Sequence, residues 1–533
     1  MTKNISMKTT LKILLLFASI LTLWSCSDDG SSPNPKPEEG FINFKINEDH
    51  GVITLTWTDD KAVDIWRKIG SSAYTKIAEA NTSKSLVDDL SSQADNTAVG
   101  YRMVAAGGDI YSTAAITGEQ KTRICMLSDE QILDLVERTT LRYFTDFAHP
   151  CGMARERNTS GDIVTTGGSG FGIMAIVAGA HRNYLSRNDA YRQIRKIVDF
   201  LKIAPRFHGA YAHWYNGSTA TVQPFSQKDD GADLVETSFL FQGLLCAREY
   251  FAEGANADES TLVADIDRLW SEIEWTHFVR SGALMWHWSP NYEFELNLRI
   301  TGWCEAMMTY VLAASSPTYP IDRTLYEDGF QRGGDIRCGV KFYGIELPIG
   351  NASSLGGPLF FAHYTFLGLD PRGLGDSLCS DYFEQNKAHT LINRAYCIDN
   401  PSNFFGYGEN LWGLTASDCP VDGYAAHSPS NDNGTISPTA AISSIPYTPE
   451  ESMAVVKYLY RDMGDRMFGE YGFYDALNLS VAADRQIVKS YLAIDQGPIV
   501  VMIENYRSQF IWDTFMKNKD VLRGLERLGI SHR

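Results

Sequence analysis

The sequence predicts a small all-β domain followed by a large, mainly α-helical domain built as an (α/α)6 toroid. From Phe41 to about Thr117, apolar residues alternate with period two between Gly, Asp, Asn and Ser turns. At Leu127 the period changes to 3.6 and largely stays there. From that point, helices apolar on nearly every side alternate with helices that have one apolar face. An inner and an outer ring would require that pattern over about 400 residues.

The chain begins with residues 1–25, a signal segment. Lys3, Lys8 and Lys12 precede an apolar run from Ile13 to Trp24, which is too short to span a bilayer as a stable helix. The run ends in Leu23-Trp24-Ser25-Cys26, which resembles a bacterial lipoprotein signal. Cys26 is then expected to carry the lipid, and Ser27-Asp28-Asp29 resembles the acidic export signal of Bacteroidetes surface lipoproteins. An ordinary signal peptide with a chance cysteine is the alternative. The expected location is the outer membrane, facing the cell surface or the periplasm. Residues 26–40 form a proline-rich charged tether that cannot bury a core.

Residues 41–120 are the β domain. Val52–Trp57, Val63–Arg67 and Val99–Ala105 are expected strands, and Trp57 with Tyr101-x-Met103-x-Ala105 resembles a fibronectin type III sandwich. Residues 125–533 are the helical domain. Ser128-x-x-Gln131 is a capping box that opens its first helix. Phe171–Ala180 is a mostly apolar helix, and Ala190, Ile194, Ile197, Val198 and Leu201 form the next stripe. Further stripes run from Leu262 to Ile273 and from Trp303 to Ala314. Thr448-Pro449-Glu450-Glu451 reads as a second capping box with proline at the first helical position, opening a helix through Tyr460. Helices over Ile499–Phe515 and Val521–Leu528 close the chain.

A formal charge of −18 argues against nucleic acid or an anionic membrane face as partner. Loss of residues 1–25, with three lysines and no acid, takes it to −21. A neutral ligand fits better, and 12% aromatic residues suit the stacking of sugar rings. Eight cysteines follow Cys26 without a C-x-x-C pair or an H-E-x-x-H set, so no metal site and no cofactor are expected. Several of them, such as Cys246 and Cys304, read as small core residues. A monomer is expected.

Asp229, Asp233 and Glu236 are spaced i, i+4, i+7, so a helix starting near Asp229 puts all three on one face. That helix continues through Leu245 as an apolar run, so the acids point to an acidic cavity wall. Alternatively, Asp229 and Asp230 merely cap it. Glu305 is the only charge in Ile300–Val311, where apolar surroundings raise a carboxyl's pKa and suit it to donate a proton. The competing reading holds it as a structural acid on Arg299. Asp495 interrupts another apolar run where a helix could begin, so capping competes with catalysis. Loops carrying Trp214, Tyr215, Trp286, Trp288, Trp303 and Trp412, with Asp418 and Asp432, supply stacking faces and hydrogen-bonding groups for sugars.

Isolated carboxylates on separate helices, with neither a metal set nor a phosphate loop, suggest glycoside hydrolysis. A polysaccharide lyase would want basic residues against a uronate, which the acidity of this chain disfavours.

Five ordered motifs carry a more specific resemblance: Asp229-Asp230-Gly231-x-Asp233-Leu234-Val235-Glu236-Thr237, Gly356-Gly357-Pro358 through Asp370-Pro371-Arg372-Gly373, Trp412-Gly413-Leu414-Thr415, Gly434-Thr435-Ile436-Ser437-Pro438, and Ile494-Asp495-Gln496-Gly497-Pro498. Together they resemble the bacterial glucoamylase-like domain, and within it glycoside hydrolase family 144, the β-1,2-glucanases. The resemblance runs from Leu127 to Gly529. It implies an (α/α)6 barrel and inverting hydrolysis of β-1,2-glucan to sophorose or short sophorooligosaccharides. It also implies Glu305 as general acid, with Asp229, Asp233, Glu236 and Asp495 lining the site. The base is left open, with Asp495 ranked ahead of Asp229 and Asp233. Trp303-Cys304 before Glu305 departs from the family pattern and bears on linkage or chain-length preference. A non-catalytic glycan-binding lipoprotein and a glucanase of another linkage stay open.

Overall fold

A computed structural model describes residues 44–111 and 119–532. The expected signal segment, Cys26 and the expected tether therefore lie outside the described residues.

Among the described residues, seven strands form the N-terminal region: β1 (Lys45–Asp49), β2 (Val52–Thr56), β3 (Val63–Ile69), β4 (Thr75–Asn81), β5 (Ser85–Asp89), β6 (Ala98–Ala105) and β7 (Gln120–Arg123). They pair as two antiparallel sheets ordered β1-β2-β5 and β4-β3-β6-β7. Alternation along the strands sends Ile53, Leu55, Val63, Ile65, Tyr101 and Met103 into one core, with Trp57 just past the end of β2. Two acids fasten this region to the helical one. Glu48 accepts from the Cys125 amide at 2.9 Å, and Asp95 accepts from the Met126 amide at 2.7 Å and the Tyr460 hydroxyl at 2.9 Å.

The remainder of the chain is mainly helical. Its first six long helices are α1 (Asp129–Thr145), α2 (Thr166–His181), α3 (Arg187–Ile203), α4 (Leu234–Ala252), α5 (Ala257–Ser271) and α6 (Met307–Ser315). The Ser128–Gln131 capping box closes as the sequence expects. All residues of α2 except the last are buried, as are nearly all of α4, all of α6 and every position but Ile494 from Ala493 to Asn505 in the Ala493–Arg507 helix. By contrast, α1, α3, α5 and the Lys519–Leu528 helix bury one face only. The wholly buried helices pack on one another, α2 most closely on α4. There a Cβ at Gly170 would lie 2.1 Å from the Phe239 carbonyl oxygen, and one at Gly243 would lie 2.1 Å from that of Gly170. Glycine is required at this crossing because the two backbones touch.

Two expectations change. Thr448 makes no capping bond from its side chain, whose hydroxyl contacts the Ser444 carbonyl and Ser452 instead; only Pro449 at the first position matches. The helix then passes at Tyr458 into a π-turn running to Asp462. The helix expected to start near Asp229 starts at Leu234, so the three acids do not share one helical face. The eight cysteines after Cys26 are all free thiols, six of them core residues or packed against the core.

Candidate active site

The buried ends of these elements surround an open cavity of about 360 Å³. Glu305, Glu236 and Glu156 reach its wall, together with Arg157, Trp214 and Trp286.

Asp233 is the N-cap of α4. Its Oδ1 accepts from the amides of Val235 at 3.0 Å and Glu236 at 2.9 Å, satisfying two orphan donors of the first turn. Its Oδ2 faces two histidines, His213 Nδ1 at 2.9 Å and His287 Nε2 at 3.6 Å. His287 arrives by strand pairing, since Ala232-Asp233 runs antiparallel to His287-Trp288 with Asp233 opposite His287. Asp229 sits in the turn before this strand, and its Oδ2 lies 3.3 Å from His287 Nε2. Tertiary pairing therefore brings Asp229 and Asp233 together, through an imidazole that they share.

Charge in this cluster is self-consistent. Burial pulls His213 down, but Glu236, Asp233 and Asp229 outweigh it and lift the ring to about 9. The same opposition lifts His287 to about 10. Burial would raise Asp233, yet the two imidazoliums hold it below the usual carboxylate range. His213, Asp229 and Asp233 offer ligand atoms within 4.8 Å of one another, the spacing of a loose cation site.

Glu236 projects from the first turn of α4, where its Oε2 accepts from the Gly167 amide at 2.7 Å. A Cβ at Gly167 would meet that oxygen at 2.6 Å, so only glycine admits the contact. His213 Nε2 lies 4.0 Å from the other oxygen. Burial shifts Glu236 upward.

Glu305 lies in the turn just before α6, where its carbonyl accepts from Thr365 Oγ1 at 2.8 Å. No cation pairs with its carboxyl among the described residues. Arg299 donates to the Ser281 carbonyl at 3.1 Å, which removes the reading in which it holds Glu305. Burial, reinforced by Asp233 and Glu236, lifts Glu305 to about 7.

Asp495 is the third residue of the Ala493–Arg507 helix, whose N-cap is Leu492, so it does not cap. Its carboxyl is buried and receives no N–H from the protein; its polar neighbour is the Asp475 carboxyl. Asp418, on the Ala416–Cys419 strand, accepts from Arg157 Nη1 at 2.7 Å, and Arg157 also pairs with Glu156 at 2.8 Å.

The aromatic expectations divide. Trp214 and Trp286 line the cavity. Trp214 packs tilted against Phe225, ring centroids 4.8 Å apart, and this exposed aromatic also lies 4.7 Å from His213. Tyr215 does not face the cavity: it is fully buried, its hydroxyl donating to the Pro205 carbonyl and accepting from the Ala212 amide, both at 2.7 Å. Trp412 is also fully buried, in a core cluster with Leu359, Ile436 and Ala440. Trp303 turns inward onto Tyr382, ring centroids 6.0 Å apart and nearly parallel. Trp288 packs edge-on against His208. Asp432 accepts from the Tyr407 hydroxyl at 2.7 Å and the Gly434 amide at 3.0 Å, holding its own loop. A large aromatic in a glycine-rich loop is as useful to the core as to a ligand, and sequence does not separate the two.

Sequence reasoning missed His213, His287, Glu156, Arg157, Asp475, Tyr364 and Tyr424. Both histidines stand beside tryptophans that were singled out, and that adjacency was the available signal. Asp475 offered none.

An acidic, histidine-clamped floor beside a carboxyl that keeps its proton near neutrality, walled by indoles, can protonate a leaving oxygen while holding a sugar. The comparisons agree in kind. Residues 297–519 match the family model "Putative glucoamylase". A solved "putative glucoamylase" from Bacteroides uniformis is 51% identical with a TM-score of 0.74, covering 76% of this chain and 98% of that one. An endo-β-1,2-glucanase from Chitinophaga pinensis, solved with sophorotriose and glucose, is 48% identical with a TM-score of 0.73, over 76% of this chain and 99% of that one. An exo β-1,2-glucooligosaccharide sophorohydrolase (non-reducing end) from Parabacteroides distasonis is 43% identical over 428 residues, which is 75% of this chain. The matched region spans 58% of that curated relative's length.

Proposed function

The chain belongs to the glucoamylase-like family that includes these bacterial β-1,2-glucan hydrolases, and on that premise we propose that it hydrolyses β-1,2-glucan to sophorose or short sophorooligosaccharides by inversion. One observation carries the chemistry: Glu305, unpaired beside an apolar helix, holds a proton up to about 7 at the wall of the cavity.

In this reading Glu305 donates that proton to the glycosidic oxygen as the C1–O bond breaks. A water attacks C1 from the opposite face and gives its proton to a carboxylate. Asp495 is assigned as that base. The oxygens of Asp233 and one oxygen of Glu236 already accept N–H bonds, and Asp229 faces His287, whereas the Asp495 carboxyl has no N–H partner. Asp495 follows the cavity-lining Ile494, and its charge acts on Tyr364 and Tyr424, which also line the cavity. Asp229, Asp233 and Glu236, clamped by His213 and His287, form a floor that grips sugar hydroxyls, and Trp214 and Trp286 stack on ring faces.

The alternation of wholly buried and one-faced helices supports an (α/α)6 toroid for this architecture. The 3 + 4 sheet order supports a fibronectin type III-like domain acting as spacer. Lipid attachment at Cys26, an outer-membrane location and a monomeric state belong to the same proposal. Metabolic labelling with a fatty acid, lost in Cys26→Ala, tests the anchor.

The function is tested by product chromatography on a panel of glucans with NMR of the first product. Release of sophorose-type products as the inverted anomer is expected. A retained anomer would require carboxyls only about 5–5.5 Å apart and would overturn the mechanism. Binding of the glucan without cleavage would make the protein a glycan-binding lipoprotein.

A further inference from the structure

Two rings of the cavity wall keep about half of their surface in solvent. Phe225 is 54% exposed and Tyr424 is 51% exposed, whereas the other aromatic residues lining the cavity are buried or half-buried. A lone exposed aromatic is ordinary on a protein surface. These two border a cavity, and the backbone under each is fastened.

Phe225 begins a tight turn. Its amide donates to the Asp229 carbonyl at 3.0 Å, and the Asp229 amide donates to the Ser226 carbonyl at 3.0 Å. Three contacts pin this turn to the 289–295 loop. Gln227 Nε2 donates to the Tyr292 hydroxyl at 3.0 Å, Lys228 pairs with Glu295 at 2.6 Å, and Asn291 Nδ2 donates to Asp230 Oδ2 at 2.6 Å. The ring rests against His213 and Trp214 and leaves its remaining surface to solvent. Tyr424 reaches the rim from another segment, on the Gly423–Ala426 strand directly opposite Asp418. Asp418 is anchored twice: its carboxylate accepts from Arg157 Nη1 at 2.7 Å, and its amide donates to Asp475 Oδ2 at 2.6 Å. One ring therefore stands on the His213 side of the wall and the other beside Asp418 and Arg157.

A cavity of about 360 Å³ is at the small end of ligand pockets, so a polymer held in it must run out over its rim. Aromatic faces fixed there meet the apolar faces of the emerging sugar rings at little cost in ordering. We propose that Phe225 and Tyr424 are specificity-determining residues, stacking on sugar units outside the cavity and setting a preference for chains longer than the cavity holds. This rests on the reading of the substrate as β-1,2-glucan and assigns the residues that sense its length. Trp214 and Trp286, half-buried, are left to the units inside. A ring that only shielded His213 and Trp214 would serve every substrate alike, whereas a platform outside the cavity is felt only by chains that reach it.

Initial rates on sophorooligosaccharides of graded length and on polymeric β-1,2-glucan test this, for the unmodified protein and for Phe225→Ala, Phe225→Trp, Tyr424→Ala and Tyr424→Phe. In the unmodified protein kcat/KM should rise with length beyond the shortest oligosaccharide cleaved. In each alanine variant the ratio of kcat/KM on polymer to that on the shortest oligosaccharide should fall about tenfold, mainly through KM. Phe225→Trp and Tyr424→Phe keep a ring face and should preserve most of the ratio. Equal losses on every chain length would make the rings structural and overturn the proposal, as would loss of the ratio in the two variants that keep a ring. A kcat/KM independent of length in the unmodified protein overturns it without any variant. Failure of the unmodified protein to cleave any β-1,2-linked chain overturns instead the reading of the substrate, before any variant is compared.

Discussion

Replacing Glu305 with glutamine removes the proposed proton donor while keeping size and polarity, and its consequences for activity and stability have opposite signs. Loss of a positioned general acid costs about 10²–10⁴ in rate. The expected result is a fall in kcat of that order on β-1,2-glucan with little change in KM. Activity on an aryl sophoroside with an acidic leaving group should be largely retained, because such a group departs without protonation. The wild-type descending limb near pH 7 should disappear. Stability follows from the same carboxyl. Its folded pKa is raised from 4.5 to about 7, so its contribution is fully present below 4.5 and is lost as pH rises through 7. That rise corresponds to about 3 kcal/mol, and opening toward the cavity reduces it to about 2 kcal/mol because solvent screens the charge. Glu305→Gln should therefore melt like wild type at pH 4 and above it at pH 8. Reducing-sugar release and calorimetry at the two pH values check both halves. A variant that keeps more than about a tenth of wild-type activity on glucan, or that is less stable at pH 8, refutes Glu305 as a buried acid held protonated.

The histidine clamp gives an alkaline limit. His213 and His287 are raised to about 9 and about 10, so their contribution is complete below their unfolded value and disappears as pH passes through those two values. The melting temperature should fall steeply there. His287→Asn should cost about 3 kcal/mol at pH 7, because it leaves buried acids short of a cation, and the difference should close at high pH. Trp286→Ala should raise KM about tenfold with a smaller effect on kcat, the loss of about 1–2 kcal/mol of stacking read by steady-state kinetics. Trp412→Ala should do the converse, costing about 3–5 kcal/mol in denaturant unfolding with KM unchanged, because that indole fills a core. With all eight described cysteines free, dithiothreitol should leave the melting temperature unchanged.

Much of the architecture was legible because helical and strand periodicities differ and each must bury its apolar face. Burial all round in α2, α4 and α6 follows from runs with apolar residues on every side, and the one wet face of α1, α3 and α5 follows from their stripes. The burial of the Glu305 surroundings was legible for a related reason: Glu305 is the single charge among the dozen residues Ile300–Val311, and such a charge has few fates. The Asp229–Glu236 row misled as to geometry, since the same spacing fits a continuous helix and also a turn, a strand and a cap. Strand pairing with His287, more than fifty residues away, selects the second arrangement.

The local pattern by itself determined the two-part organisation, the buried and half-buried helices, and the residue types able to donate a proton. Those depend on neighbours within a turn or two, where periodicity and apolar surroundings act directly. Only the tertiary structure decided which aromatics face the cavity: Trp214 and Trp286 do, whereas Tyr215 and Trp412 are spent on the core. It also decided that His213 and His287 lie against the acidic floor. These pairings join segments distant in sequence, and their energies depend on a separation and a dielectric that exist only once the chain is packed.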